Sequence, residues 1–273
     1  VSEVFNGTEE LAEVELSFRS EKGSPAATLG VQFENAAAAD IALQSPVLSV
    51  LGILDAPISG SMRVSVGPDS ALSALAATLE IGEGRLRPAA DARPVAFESA
   101  RAYVTYDPDR NRLRIAELSA KSDLVQLAGA GQLYLGNPEG GWPEHLVGQL
   151  ALYRLEIAPG DLFDASVTID DGSADFRISL DPFVVDIGDT VLQSAHGRQR
   201  LTGRIAAAED GWTVALDLAS DRLTPGAALA LWPERFARGA RNWVSENVSG
   251  GTVNDFALSL RLAPGAPPTA AFS

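Results

Sequence analysis

Few residues in this chain have the types and spacing that chemistry needs. Only His145 and His196 are histidines, far apart and each without a second ligand at metal spacing. Both read as surface or loop residues. There is no cysteine, which excludes disulfides, thiolate metal sites and cysteine nucleophiles. No Gly-x-Ser-x-Gly elbow is present. Gly82-Glu83-Gly84 and Gly129-Ala130-Gly131 lack the third glycine and the helix that a dinucleotide site requires. Asp170-Asp171-Gly172-Ser173-Ala174-Asp175 offers carboxylates and a turn glycine, the ingredients of a calcium loop. It lacks the ligand pattern of such a loop, so a solvated Asp-Gly hairpin turn is expected there. Nothing singles out a carboxylate pair for glycoside hydrolysis. Asn6-Gly7-Thr8 and Asn247-Val248-Ser249 match a glycosylation sequon, a match frequent by chance. The expectation is a protein that is not an enzyme, with no catalytic residue, no metal and no cofactor.

The charge points the same way. The net charge is −15, and Lys22 and Lys121 are the only lysines. Nucleic-acid binding rests on basic patches, so no nucleic-acid partner is expected. Anionic lipid surfaces should also repel the chain on average. The charge keeps a long exposed β surface in solution. No run of about 18 apolar residues is present to span a bilayer, and no signal peptide is visible. The chain begins at Val1 and ends on Pro267-Pro268-Thr269-Ala270-Ala271-Phe272-Ser273. It reads as a piece of a longer protein.

Strand patterns must position whatever surface does the work. Leu11 to Arg19 alternates, with Ala12, Val14, Leu16 and Phe18 opposite Glu13, Glu15 and Ser17. A period of two places these on opposite faces of a sheet. Leu29, Val31 and Phe33 repeat the pattern. Pro57 to Val66 is the cleanest case, with Ile58, Met62, Val64 and Val66 against Ser59, Ser61, Arg63 and Ser65. Further strands are expected at Leu72 to Ile81, Gly84 to Pro88, Ala100 to Tyr106, Arg112 to Leu118, Val125 to Leu135 and Leu146 to Ile157. Others follow at Val167 to Ile169, Phe176 to Leu180, Phe183 to Ile187, Val191 to Ile205 and Trp212 to Leu218. Asn35 to Asp40 reads as a turn and an alanine run. Pro46 to Leu54 is apolar without alternation and suggests a short buried helix. Asp107-Pro108-Asp109-Arg110-Asn111 is a hairpin loop by composition. Gly129 and Gly131 inside a strand suggest a bend or a close backbone approach. Asn137 to Pro143, rich in glycine and proline, divides the chain into segments 1–136 and 144–273. Together these make one continuous β array.

The convincing helical stretch runs from Thr224 to Asp255. Thr224 can cap a first helix opened by Pro225. Pro233 opens a second, in which Phe236, Ala240, Trp243, Val244 and Val248 recur at helical spacing. Gly250 and Gly251 stop it before a strand carrying Phe256, Leu258, Leu260 and Leu262 on one face. This stripe is expected to plug the edge or end of a β core, with Trp243 buried. A membrane-surface helix carries the same pattern.

Trp232-Pro233-Glu234, Arg241-Asn242-Trp243-Val244, Asn247, Gly250-Gly251 and Val253 resemble a segment of the AsmA-like bacterial envelope proteins, especially the YhdP-like branch. Gly84-Arg85-Leu86, Pro94 to Phe97, Ala100 to Asp107, Arg112-Leu113 and Leu118 are similar to that family's recurring strand–turn–strand unit. The resemblance spans roughly Ser59 to Leu262, and its motifs are structural, not catalytic.

The fold class expected is all-β with a small helical element near 225–248. Periodicity alone fits a sandwich or barrel in which apolar faces cover one another. The resemblance instead implies a long, bent antiparallel sheet, folded like a taco shell, whose apolar inner face lines a groove. The aromatic content of 7% suits smooth aliphatic walls better than a ring-filled core. The groove lining would be Val14, Leu16, Phe18, Met62, Val64, Val66, Val214, Leu216, Leu258 and Leu260. The function implied is a segment of an intermembrane lipid-transfer bridge that shields phospholipid acyl chains between inner and outer membranes. The implied location is the periplasm, within an inner-membrane-anchored protein whose anchor lies outside this segment. Its partners would be acyl chains, the remainder of the same chain and other envelope proteins. The alternative is a non-catalytic scaffold or interaction module for outer-membrane assembly, with a closed β core.

Overall fold

Alternating side chains and short polar turns give strands for most of the chain. The computed structural model describes residues 2–4, 12–20, 22–44, 46–69, 72–88, 92–136, 143–157, 166–195, 197–208, 210–232 and 237–272. The first strands are β1 (Ser2–Val4), β2 (Ala12–Ser20) and β3 (Ala27–Ala37). Helix α1 (Ala38–Ala42) and a 3-10 helix (Pro46–Ile53) follow, then β4 (Leu54–Asp55), β5 (Pro57–Val66) and β6 (Leu72–Ile81). Next come β7 (Gly84–Leu86), β8 (Val95–Phe97), β9 (Ser99–Asp107), β10 (Arg112–Lys121), β11 (Val125–Leu135) and β12 (His145–Ile157). The chain continues with β13 (Val167–Leu180), β14 (Phe183–Ser194), β15 (Gly197–Ala208) and β16 (Gly211–Leu223). It finishes with α2 (Pro225–Leu231), α3 (Arg238–Asn247), β17 (Val253–Leu262) and β18 (Thr269–Phe272).

The fold is all-β with a small helical part. One long antiparallel sheet has the order β1-β2-β3-β5-β6-β9-β10-β11-β12-β13-β14-β15-β16-β17-β18, and β4, β7 and β8 form a second, small sheet. The long sheet does not close, since β1 and β18 are its edges. By contacts the chain forms two units. The first is Val1–Pro88, Pro94–Lys121 and Ala130–Val147; the second is Ala89–Arg93, Ser122–Gly129 and Gly148–Ser273.

In the first unit, α1 and the 3-10 helix lie on one end of the sheet's apolar face. Ala38, Ile41, Ala42, Leu48 and Leu51 are buried together with Phe33, Ile58, Leu79 and Ile81. The chain is held there by backbone bonds, Ala38 N donating to Ala56 O at 3.1 Å and Arg87 N to Ile53 O at 2.7 Å. The expected short helix at Pro46 to Leu54 is this 3-10 helix. The expected turn over Asn35 to Asp40 is not there. Asn35 takes a left-handed φ of 54°, and the register with β5 shifts between Phe33 and Ala36. A bulge therefore absorbs the irregular residues and the strand runs on to Ala37.

In the second unit a buried cluster of Leu152, Ile169 and Leu192 packs with Leu150, Leu155 and Leu201. Two expectations fail here. Asp170 to Asp175 is not a hairpin turn, because β13 passes straight through it, paired to β14 at Asp171↔Gln193, Gly172↔Leu192 and Ser173↔Val191. Register shifts on either side take up the surplus residues. The ladder to β14 outweighs the local turn preference of Asp-Gly. Conversely, Val191 to Ile205 is not one strand. It turns between Ser194 and Gly197, which pair with each other, and Gly197 supplies the required φ of 105°.

The helical stretch also differs in detail. Thr224 caps α2 as its sequence indicates, its Oγ1 accepting from Ala227 N at 3.2 Å. Leu223, Ala227, Ala228 and Phe256 form a buried cluster with Leu231 and Leu258. The helices connect β16 to β17, which pair directly, and β17 pairs onward with β18. They therefore cover a strand end and do not stop further pairing. Helix α3 starts at Arg238, and Pro233 to Phe236 lie outside the described residues. It has no buried residue, and Trp243 is 60% exposed, which corrects the expectation of a buried ring. Trp232, at 7% exposure, is the buried one, and its carbonyl accepts from Arg241 Nε at 3.4 Å. A stripe at helical spacing fixes which side chains share a face but not whether anything covers that face.

Candidate functional site

The apolar faces of the sheet are the candidate surface, and register assembles them. In the first unit, pairing carries Leu16 to Val31, Val31 to Met62, Met62 to Ala77 and Ala77 to Val104. The next row is Phe18, Leu29, Val64, Leu75 and Tyr106. A third is Val14, Phe33, Gly60, Leu79 and Ala102. Directly paired residues in an antiparallel ladder share a face. The first-unit residues expected to line a groove (Val14, Leu16, Phe18, Met62, Val64 and Val66) thus lie on one face. At about 4.8 Å per strand, the five strands of a complete row extend roughly 19 Å.

Burial varies steeply along this face. Under the helices Ile58 is 0% exposed, Leu79 4% and Phe33 5%. Leu75 is also buried, and Val14, Met62, Val64 and Val66 are half-buried. At the β2 side Leu16 is 63% and Phe18 70% exposed, with Leu29 at the exposed margin beside them. One end is thus an ordinary closed core, and the far end is an open aliphatic surface. Gly60 keeps the rows close, because a Cβ there would collide with the Thr78 carbonyl.

In the second unit the rows are Ile205–Val214–Leu262, Gly203–Leu216–Leu260 and Leu201–Leu218–Leu258. Val214, Leu216, Leu258 and Leu260 therefore also share one face, each half-buried. On the opposite face Asp217 accepts from Ser259 Oγ at 2.6 Å and from Arg261 Nη2 at 2.8 and 3.0 Å. The Ser259 hydroxyl, and then the Arg261 guanidinium, hold the Asp217 carboxyl below the usual aspartate range. This polar lock fixes the β16–β17 register and so keeps the aliphatic rows aligned. Gly129 makes the close approach its sequence suggests. A Cβ there would come 2.5 Å from the carbonyl oxygen of Ala151 on β12.

The residues considered for chemistry do not come together. His145 is half-buried with Gly136 against its ring, and His196 lies outside the described residues. Among the described residues no three metal-ligating side chains converge, and no helix is long and apolar enough to cross a membrane. At the hairpin of β9 and β10, the Arg110 side chain holds the Asp107 carboxyl below its usual range, while burial and then the Asp107 charge raise the Tyr106 phenol. Tyr106 Oη donates to Asn111 Oδ1 at 2.8 Å, and Asn111 Nδ2 donates to Leu135 O at 2.5 Å. These contacts shape a turn.

Sequence reasoning passed over one feature. The polar side of the first unit's sheet encloses an open trough of about 980 Å³, lined by β2, β3, β5, β6, β9 and Ala116. Arg19, Arg63 and a set of hydroxyls line it. The signal was present as the small residues Gly30 and Ala76 between longer polar neighbours.

The chain matches no protein-family model, no curated protein and no solved structure.

Proposed function

We propose that this chain is a segment of an AsmA-like lipid-transfer bridge that shields phospholipid acyl chains between the inner and outer membranes. The supporting observation is the exposure of Leu16 and Phe18, in rows continuous with half-buried Val31, Met62 and Val64 on one sheet face. Exposed contiguous aliphatic surface of this kind marks an interaction site. An acyl chain gains about 0.8 kcal/mol for each methylene withdrawn from water. The process is passive: the chain slides along an apolar track and avoids the cost of crossing water. The periplasm, and an anchor elsewhere in a longer protein, belong to the same proposal.

A second reading is a scaffold with a closed core, acting in envelope assembly without lipid. The buried cluster beneath α1 and the 3-10 helix favours it for that end of the face. Mass spectrometry of the purified chain separates the two. Co-purifying phospholipid, lost on extraction and regained from vesicles, is expected for the track. Its absence on both counts sinks the track and leaves the scaffold.

A further inference from the structure

The first unit's trough is lined mainly by the polar side of the sheet, with Phe18, Val31, Met62, Ala77 and Val104 of the aliphatic rows also in its wall, and the acyl-chain reading does not use its polar residues. Its chemistry is distinct. Arg19 and Arg63 line it, and neither belongs to an ion pair among the described residues, although the whole chain is strongly acidic. Guanidinium groups present paired donors that match a carboxylate or phosphate. Between them the floor is shallow. Thr28 and Gly30 separate β2 from β5, and the Ser17 hydroxyl leans over Gly30, 3.4 Å from its carbonyl oxygen. Hydroxyls from Thr28, Ser61 and Thr105 continue the lining, and Tyr103 presents a 38% exposed ring. Glu15 and Gln32 line the trough on the side of Arg63 away from Arg19, so one part disfavours an anion.

We propose that this trough binds a linear oligosaccharide carrying carboxylate groups. Three features select that ligand class. The volume is at the upper end of small-molecule sites, which run from about 300 to 1,000 Å³. The trough crosses five strands, roughly 19 Å, which suits an extended chain and leaves a lone anion making few contacts. Arg19 and Arg63 stand two strands and two residues apart, roughly 12 Å between backbones. They therefore meet separate charges along a chain, with the Thr28 hydroxyl on the strand between them, while Ser61, Thr105 and the Tyr103 ring meet sugar rings at β5 and beyond it at β9.

The test uses the intact chain and isothermal titration calorimetry with tetragalacturonate, a carboxylated tetrasaccharide. Saturable binding is expected, weakened about tenfold or more by Arg63→Gln, since a charge-assisted contact is lost. The uncharged methyl ester of the same tetrasaccharide should bind at least tenfold more weakly to the unaltered chain. Ala76→Leu, which fills the floor at an exposed position, should abolish binding without changing Tm. Absence of saturable binding overturns the proposal, as does equal binding of the methyl ester. Binding of inorganic phosphate or of anionic phospholipid vesicles that Arg63→Gln weakens, with none of the tetrasaccharide, assigns the arginines to phosphoryl groups and also overturns it. Loss of co-purifying lipid would leave this result untouched, because Arg63 and Ala76 pair with each other in a polar row that the aliphatic rows do not include.

Discussion

Val64→Asp is the most informative perturbation of the aliphatic face. Val64 is half-buried in the row Phe18–Leu29–Val64–Leu75–Tyr106. Full burial of a valine is worth about 1.5–3 kcal/mol, so half-burial puts the lost transfer energy near 1 kcal/mol. The carboxylate keeps part of its water at a half-exposed site and avoids the larger cost of a sealed charge. A total loss of about 1–3 kcal/mol is expected. Leu75→Asp, one strand along in the same row at 4% exposure, should cost several kcal/mol more and unfold the first unit. Ser65→Asp faces the other way and should leave lipid binding unchanged. The assays are urea unfolding followed by circular dichroism and bound lipid by mass spectrometry. For Val64→Asp the expected result is a folded chain that has lost its lipid, since an unpaired carboxylate now sits among acyl chains. A folded variant with its full lipid complement refutes the track. Global unfolding of Val64→Asp shows that the face is closed and favours the scaffold.

Other consequences can be checked on the same material. Ile58→Ala removes a fully buried side chain beneath the helical cover and should cost about 2–5 kcal/mol by urea unfolding, whatever the face binds. Trp243→Ala should change stability by less than about 1 kcal/mol, because the ring is mostly exposed; a large fall in Tm would show that it is covered in solution. Asp217 has its folded-state pKa depressed, so its contribution is full above the ordinary aspartate value of about 3.9 and is lost as pH falls through the lower folded value. Asp217→Asn should therefore flatten the acid limb of stability against pH, and an unchanged limb would dismiss the polar lock. Gly60→Val should destabilise the first unit through collision with the Thr78 carbonyl, detectable as faster amide exchange in β5 and β6.

The strands at Pro57 to Val66 and Leu72 to Ile81 were legible from sequence because alternation is a local property. A side chain's face is set by its neighbours two residues away. For the same reason the shared faces of Val14, Leu16 and Phe18, and of Leu258 and Leu260, could be read without coordinates. The helix cap at Thr224 was equally local. Long-range competition decided the rest. Asp-Gly at 171–172 prefers a turn by itself, yet a partner strand holds it extended. The run from Val191 to Ile205 reads as one strand by sequence, yet pairing of Ser194 with Gly197 folds it back. Trp232 and Trp243 each stand in or beside a helical stretch in the sequence, and the tertiary structure buries the first and leaves the second in solvent. Coverage is the quantity that periodicity lacks. The pattern of Ile58, Met62, Val64 and Val66 is uniform along β5, but a helical layer seals Ile58 and leaves the other three half-buried. The trough behind them arises from the same cause, since small residues at Gly30 and Ala76 become space only when five strands are set side by side.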